Sequence, residues 1–210
     1  QALHIDVTFV PTLYEGMQKV VFVKDNFSTS LLHYGSTSES ADSEFVKTLL
    51  EETFVKFNLY QHPDTIDIIS DGGSENKGAV IQWVGNLIAP PMVKKITANT
   101  PDFPFYNNMS ESTHRTYKSE YLQGTVSADK ATHLKDLAEF VEYYNNERFP
   151  TLLYGLSPME VLNGATIDRH LFSEKIAEAK PFSKSSIESK RHSPWVCCTN
   201  WLKTSISSYS

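Results

Sequence analysis

The stretch Ile66–Asn76, IDIISDGGSEN, constrains this chain more than any other. Its β-type apolar residues Ile66, Ile68 and Ile69 stop at Ser70-Asp71 and run into Gly72-Gly73, so Asp71 stands where a buried strand ends. The two glycines free the backbone to turn sharply beside whatever the carboxylate holds. Taken alone, an acid at a strand end is ordinarily a turn or cap residue. Two other acids alter that reading. Asp6, in LHIDVTFV, lies inside another β-type run, and Glu111, in NNMSESTHRTYKSEY, opens a predicted helix. Three carboxylates far apart in sequence, each where a sheet-and-helix fold can gather them, are what a two-cation site for phosphoryl transfer needs.

The other elements follow from periodicity. Leu3–Val10, Lys19–Lys24 and Leu31–Tyr34 read as three strands joined by short turns, an antiparallel meander. Asp42 or Ser43 caps a helix over Glu44–Asn58, with Phe45, Val46, Leu49, Leu50 and Phe54 on its apolar face. After the Ile66–Ser70 strand come a short helix within Gly78–Leu87, a strand Met92–Ala98, and the proline-broken loop Asn99–Tyr106. A helix then runs from Asn108 to near Tyr121. Ser127 is expected to cap a long helix ending near Asn146, with Leu134, Leu137, Ala138, Val141 and Tyr144 as its stripe. Ser157-Pro158-Met159-Glu160 has the pattern of a capping box with proline at the first helical position. The fold class is therefore α/β: a mixed sheet of three antiparallel strands followed by parallel additions, with helices on both faces.

Residues 1–165 read as one core and 166–210 as an irregular tail. The tail is mildly basic: from Asp168 onward five Lys and two Arg stand against one Asp and three Glu, which leaves the first 167 residues at −9 within a total of −6. An acidic body weighs against a nucleic-acid partner unless cations neutralise its central carboxylates. No run is long and apolar enough to span a membrane, so no membrane partner is expected. The two cysteines, Cys197 and Cys198, are adjacent and suit neither a disulfide framework nor a zinc site, which favours an intracellular setting. The chain opens at Gln1 directly in a strand, so an upstream portion is expected.

Four stretches, in this order, resemble the integrase core of the DDE group, which is shared by insertion-sequence transposases and retroviral integrases within the ribonuclease H-like fold. HIDVT resembles the first-strand motif at Asp6 and Thr8, and SDGGSEN resembles the second, placing its acid at Asp71. NNMSESTHRTYKSE resembles the helix start carrying the family's Glu, at Glu111, with a Lys seven residues on at Lys118. EYYNNERFPTLLYGLSPMEVL resembles the segment closing many bacterial transposase cores, at Tyr144, Asn145, Arg148, Ser157 and Pro158. The similarity covers about Leu3–Gly164. There are two departures. Thirty-nine residues separate Asp71 from Glu111, more than the family's usual spacing, which leaves Asp102 and Glu120 as rival third acids. Leu3-His4 stand where an aromatic usually precedes the first motif.

The resemblance implies a ribonuclease H-like transposase core that cleaves DNA and joins a freed 3′-OH to target DNA. It also implies that Asp6, Asp71 and Glu111 hold Mg²⁺ or Mn²⁺, two ions in all. The partners implied are element-end and target DNA and at least a second copy of the chain, with an upstream DNA-binding domain. Other readings stay open: a nuclease of the same fold that only hydrolyses, or a degenerate core kept for DNA binding or assembly. Arg115 and Lys118, at +4 and +7 from Glu111, share its helix face and either contact phosphate or form a solvated face with an ordinary Glu–Arg pair. Ser74 and Asn76 either order the turn or touch DNA. Glu111 could also complete a capping box with Asn108. His114 reads as a single exposed His without a role, and Tyr143, Tyr144 and Phe149 as core.

Overall fold

The computed structural model describes residues 1–39, 41–87, 91–98 and 108–174. Five strands form one sheet: β1 (Ala2–Thr12), β2 (Gly16–Asp25), β3 (Leu31–Thr37), β4 (Ile66–Ser70) and β5 (Val93–Thr97). Their order in space is β3-β2-β1-β4-β5. β1 pairs antiparallel with β2 from Leu3↔Asp25 to Thr12↔Gly16, and β2 pairs antiparallel with β3. β4 joins β1 in parallel, with His4 opposite Ile69, and β5 joins β4 in parallel. This is the expected meander with parallel additions, and β4 has the predicted bounds. β1 to β3 run longer than predicted because pairing continues past the apolar runs into the polar hairpin ends.

The helices are α1 (Ser43–Lys56), α2 (Ala79–Asn86), α3 (Asn108–Arg115), α4 (Lys130–Asn146) and α5 (Pro158–Leu162). Asp42 caps α1 by accepting from the Phe45 N–H at 3.1 Å. Val46, Leu49, Leu50 and Phe54 form its buried face, each contributing about 1.5–3 kcal/mol by leaving water. α4 departs from expectation. Its first turn is capped by Asp129, whose carboxylate accepts from Thr132 N–H at 2.8 Å, while Ser127 instead donates to Asp136 at 2.6 Å. The buried residues of α4 include His133, Leu137, Phe140 and Tyr144, whereas Leu134, predicted to lie on the stripe, is 39% exposed. A buried histidine at the head of the stripe rotates it away from the purely apolar reading. The predicted helix from Asn108 to Tyr121 is two pieces, since α3 passes into a π-helical turn over Thr116–Tyr121.

The chain divides into two compact units, Gln1–Glu142 and Tyr143–Ser210. In the second, Ser157 and Glu160 form the predicted capping box of α5, Arg148 lies over the Tyr144 ring, and Phe172 packs against Tyr154. The Asn99–Tyr106 loop, Asp102, both cysteines and the tail beyond residue 174 lie outside the described residues.

Pairing register assigns the faces of the first unit's sheet. Val7, Val21 and Gly35 stand in one row across β1, β2 and β3, and a Cβ on Gly35 would lie 2.9 Å from Leu49 and Phe45 of α1. α1 therefore covers that face, and glycine lets it approach closely. Asp6 and Phe22, one residue along, point to the opposite face, where α3 packs. Gly35→Ala forces a methyl into the α1 contact and is expected to cost about 1–3 kcal/mol in urea unfolding; an unchanged midpoint would mean that α1 sits farther from β3.

Candidate active site

Register brings the first two acids together. Because His4 lies opposite Ile69 in a parallel pair, Asp6 and Asp71, each two residues on, leave the sheet on the same face and at the same level. Asp71 is held at the strand end by its own turn: its Oδ1 accepts from the Gly73 N–H at 3.0 Å and from the Asn76 side-chain amide at 2.8 Å. That amide also donates to Glu75 Oε1 at 3.3 Å. A Cβ on Gly73 would fall 2.1 Å from the Glu75 carboxylate, so the second glycine makes room for a fourth acid that sequence reading passed over. Asn76 is 2% exposed and spends its N–H groups on the two acids. Of its two predicted roles, this geometry is that of ordering the turn. Ser74 is exposed.

Asp6 is 9% exposed in the central strand. Its Oδ1 accepts from the Val7 N–H at 2.9 Å, and its Oδ2 lies 3.5 Å from His114 Nδ1. Burial pushes the Asp6 carboxyl up to about 7 despite the Val7 hydrogen bond, and the charges of Asp71, Glu111 and Glu75 push in the same direction. Acids from the end of β4, the following turn and α3 thus all bear on one buried carboxyl. Glu111 itself is exposed on the first turn of α3. Glu120, the rival on the π-helical turn, accepts from Thr116 Oγ1 at 3.4 Å. Among the described residues, no three His, Cys, Asp or Glu side chains are already grouped to hold a metal ion.

The expectation for His114 is corrected. Its side chain is 14% exposed, lies against Asp6 and has its ring centroid 6.1 Å from that of Phe22. Burial lowers its pKa to about 4, reinforced by Lys118 and Lys24 and opposed by a hydrogen bond to the Asp6 backbone. The imidazole is therefore neutral near pH 7, and its contact with Asp6 is no ion pair despite the short distance. Nothing in the sequence around His114 marks it as buried, because the contacts that bury it come from Asp6 on β1 and Phe22 on β2. Below it, Phe22, Tyr117 and Phe140 pack edge to face and tilted, with centroids 4.6–6.0 Å apart.

Three cations lie on neighbouring elements, α3, the π-helical turn and β5. Arg115 and Lys118 are exposed on α3 and the π-helical turn, and Lys118 is near enough to act on His114. Lys95 on β5, which sequence reading left as a strand residue, donates to Ser70 Oγ, next to Asp71. Burial lowers its pKa to about 8 while the Asp71 charge pulls it back up.

The sheet order and its helices make this a ribonuclease H-like fold. Solved structures share it. One chain of the simian T-cell lymphotropic virus intasome superposes with a TM-score of 0.59 at 14% identity, covering 80% of this chain and 56% of that one. The catalytic domain of Mos1 mariner transposase superposes with a TM-score of 0.51 at 13% identity, covering 67% of this chain and 69% of that one. Residues 111–163 match the family described as Integrase core domain. The transposase InsK of insertion sequence element IS150 from Escherichia coli is 29% identical over 150 residues, which are 70% of this chain and 49% of that protein's length. This chain thus spans about half of that relative. In fold and in sequence the chain is similar to transposase and integrase cores. No helix among the described residues is long and apolar enough to cross a membrane.

A carboxyl whose pKa is raised by folding holds its proton more tightly in the folded state, so its contribution to stability is present below about pH 4 and lost as pH rises through about 7. Asp6→Asn in cation-free buffer is accordingly expected to gain about 1–3 kcal/mol over the parent chain at pH 8 and nothing at pH 4. Thermal melts at the two pH values read this directly, and equal melting of the two proteins at pH 8 would show that Asp6 carries no such strain.

Proposed function

We propose that this core is a divalent-cation-dependent polynucleotidyl transferase, cleaving the ends of a mobile DNA element and joining their 3′-OH groups to target DNA. The observation that carries this reading is the buried Asp6 carboxyl, pressed by Asp71, Glu111 and Glu75 and faced by a neutral imidazole. Such an arrangement is unfavourable by itself and becomes favourable with a cation present.

The donor chemistry fits. Asp6, Asp71 and Glu111 offer hard carboxylate oxygens of the kind Mg²⁺ and Mn²⁺ take, from a rigid strand, a braced strand end and a helix start. Asp6 would serve both ions, Asp71 one and Glu111 the other. When bound, two such ions stabilise charge on the attacking and leaving oxygens of a phosphodiester displacement. The protein's own residues do the rest. Asn76 and the Gly73 N–H hold Asp71 in one orientation, and the aromatic packing under His114 keeps water from the underside of Asp6. Arg115 and Lys118, exposed on the helical segment that begins with Glu111, would meet DNA phosphates and offset the acidic balance of the chain locally. The attacking group is water when an end is cleaved and the freed 3′-OH when it is joined. Assembly on two element ends calls for at least two copies of the chain.

Asp6→Asn, Asp71→Asn and Glu111→Gln are each expected to lower joining of pre-cleaved ends by roughly a hundredfold or more while circular dichroism stays unchanged. Joined products separate a transferase from a nuclease that only hydrolyses. Full activity in any of the three variants removes that residue from the site, and tight DNA binding with no cation-dependent chemistry in the parent chain would make the core a binding module.

A further inference from the structure

One buried cation is not used by this account. Lys24 of β2 is 3% exposed, and its Nζ donates at 2.8 Å to Thr113 Oγ1 of α3, itself 1% exposed. Lysine is rarely buried to this extent unless paired, since removing an ammonium from water costs several kcal/mol, and an apolar side chain would fill the same volume more cheaply. Its surroundings are those of the acid site: Lys24 lines one recess with His4, Asp6, Phe22, Thr113 and His114. Its positive charge also helps to keep His4 and His114 neutral.

The strand is locally irregular at this point. Val23 pairs with His33 but Lys24 pairs with Leu31, so Leu32 is an extra residue in β3 and the pairing slips beside Lys24. A bulge of this kind increases local twist and re-aims side chains, and such bulges recur next to active sites. On α3 the adjacent Thr113 and His114 reach neighbouring strands, Thr113 to Lys24 on β2 and His114 to Asp6 on β1. Glu111 lies three residues before His114, so it stands one turn earlier on the same short helix.

We infer that Lys24 is a positioning residue: its buried hydrogen bond to Thr113 fixes the rotation of α3 over the sheet and so sets where Glu111 stands relative to Asp6. The inference rests on the cation-binding role given to Glu111 above. Hydrogen bonds within α3 and the π-helical turn leave its rotation over the sheet to side-chain contacts. A charge-assisted bond to a buried threonine supplies a directional constraint that apolar packing does not. Lys24 touches neither DNA nor a cation in this scheme; it acts through Thr113 and Glu111.

The test uses Lys24→Met, Thr113→Val, Thr113→Ser and Glu111→Gln in the full chain. Thr113→Val matches the parent in shape and guards against Lys24→Met failing to fold. Amide exchange over residues 108–115 is expected to rise about tenfold in Lys24→Met and Thr113→Val relative to the amides of α1, and to stay at the parent rate in Thr113→Ser. Mn²⁺ affinity, read by calorimetry, is expected to fall about tenfold in Thr113→Val and in Glu111→Gln, and no further when the two are combined. A uniform rise in exchange across α1, α3 and α4, or additive losses of Mn²⁺ affinity, would overturn the inference, because both follow from general destabilisation. Absence of Mn²⁺ binding by the parent chain would instead sink the cation reading, while the exchange pattern still decides whether Lys24 holds α3.

Discussion

An ionisable oxygen pair inside the central strand of a sheet is the constraint on which the rest of this structure turns. Asp6 pairs with Phe22 of β2 on one side, lies two residues past the last β1–β4 pair on the other, and has His114 of α3 against it, so its charge meets little water. Each neighbouring device is explained by that situation. β4 runs parallel to β1 at a register that delivers a second acid to the same level. The turn after β4 uses one glycine and a buried Asn76 to keep Asp71 and Glu75 oriented without a lysine or arginine bonded to either carboxylate among the contacts described. His114 covers Asp6 as a neutral ring. The site concentrates negative charge on one buried carboxyl, and on the proposed reading a divalent cation would offset it.

Much of this was legible in the sequence wherever a short-range rule has one outcome. The apolar run that ends at Ser70-Asp71 left one plausible strand end, and β4 has those bounds. Ser157, Pro158 and Glu160 satisfy a capping box through atoms within one turn, and Asp42 caps α1 for the same local reason. Asp6 was identifiable because an acid between Ile5 and Val7 conflicts with a buried strand unless something holds it.

What sequence could not give depends on contacts between distant segments. His114 reads as a single exposed histidine, and it is Asp6 on β1 and Phe22 on β2 that cover it. His133 displaces Leu134 from the stripe of α4 because Ser36 of β3 offers its imidazole a partner at 3.0 Å. Glu75 enters the site through a missing Cβ two residues before it, and Lys24 and Lys95 are ordinary strand lysines until sheet register turns them inward. Lys24 with Thr113, His114 with Asp6 and His133 with Ser36 are polar pairs distant in sequence, and hydrophobic periodicity carries no record of such pairs.

The central claim is that the Asp6 carboxyl is strained by its surroundings and relieved by a cation. Selective carbon-13 labelling of aspartate with NMR titration of the Asp6 carboxyl, run with and without Mg²⁺, tests it most directly. The account predicts a midpoint near 7 without the ion and a fall of about two pH units or more when Mg²⁺ is added. An ordinary carboxylate midpoint that Mg²⁺ leaves unmoved would contradict it.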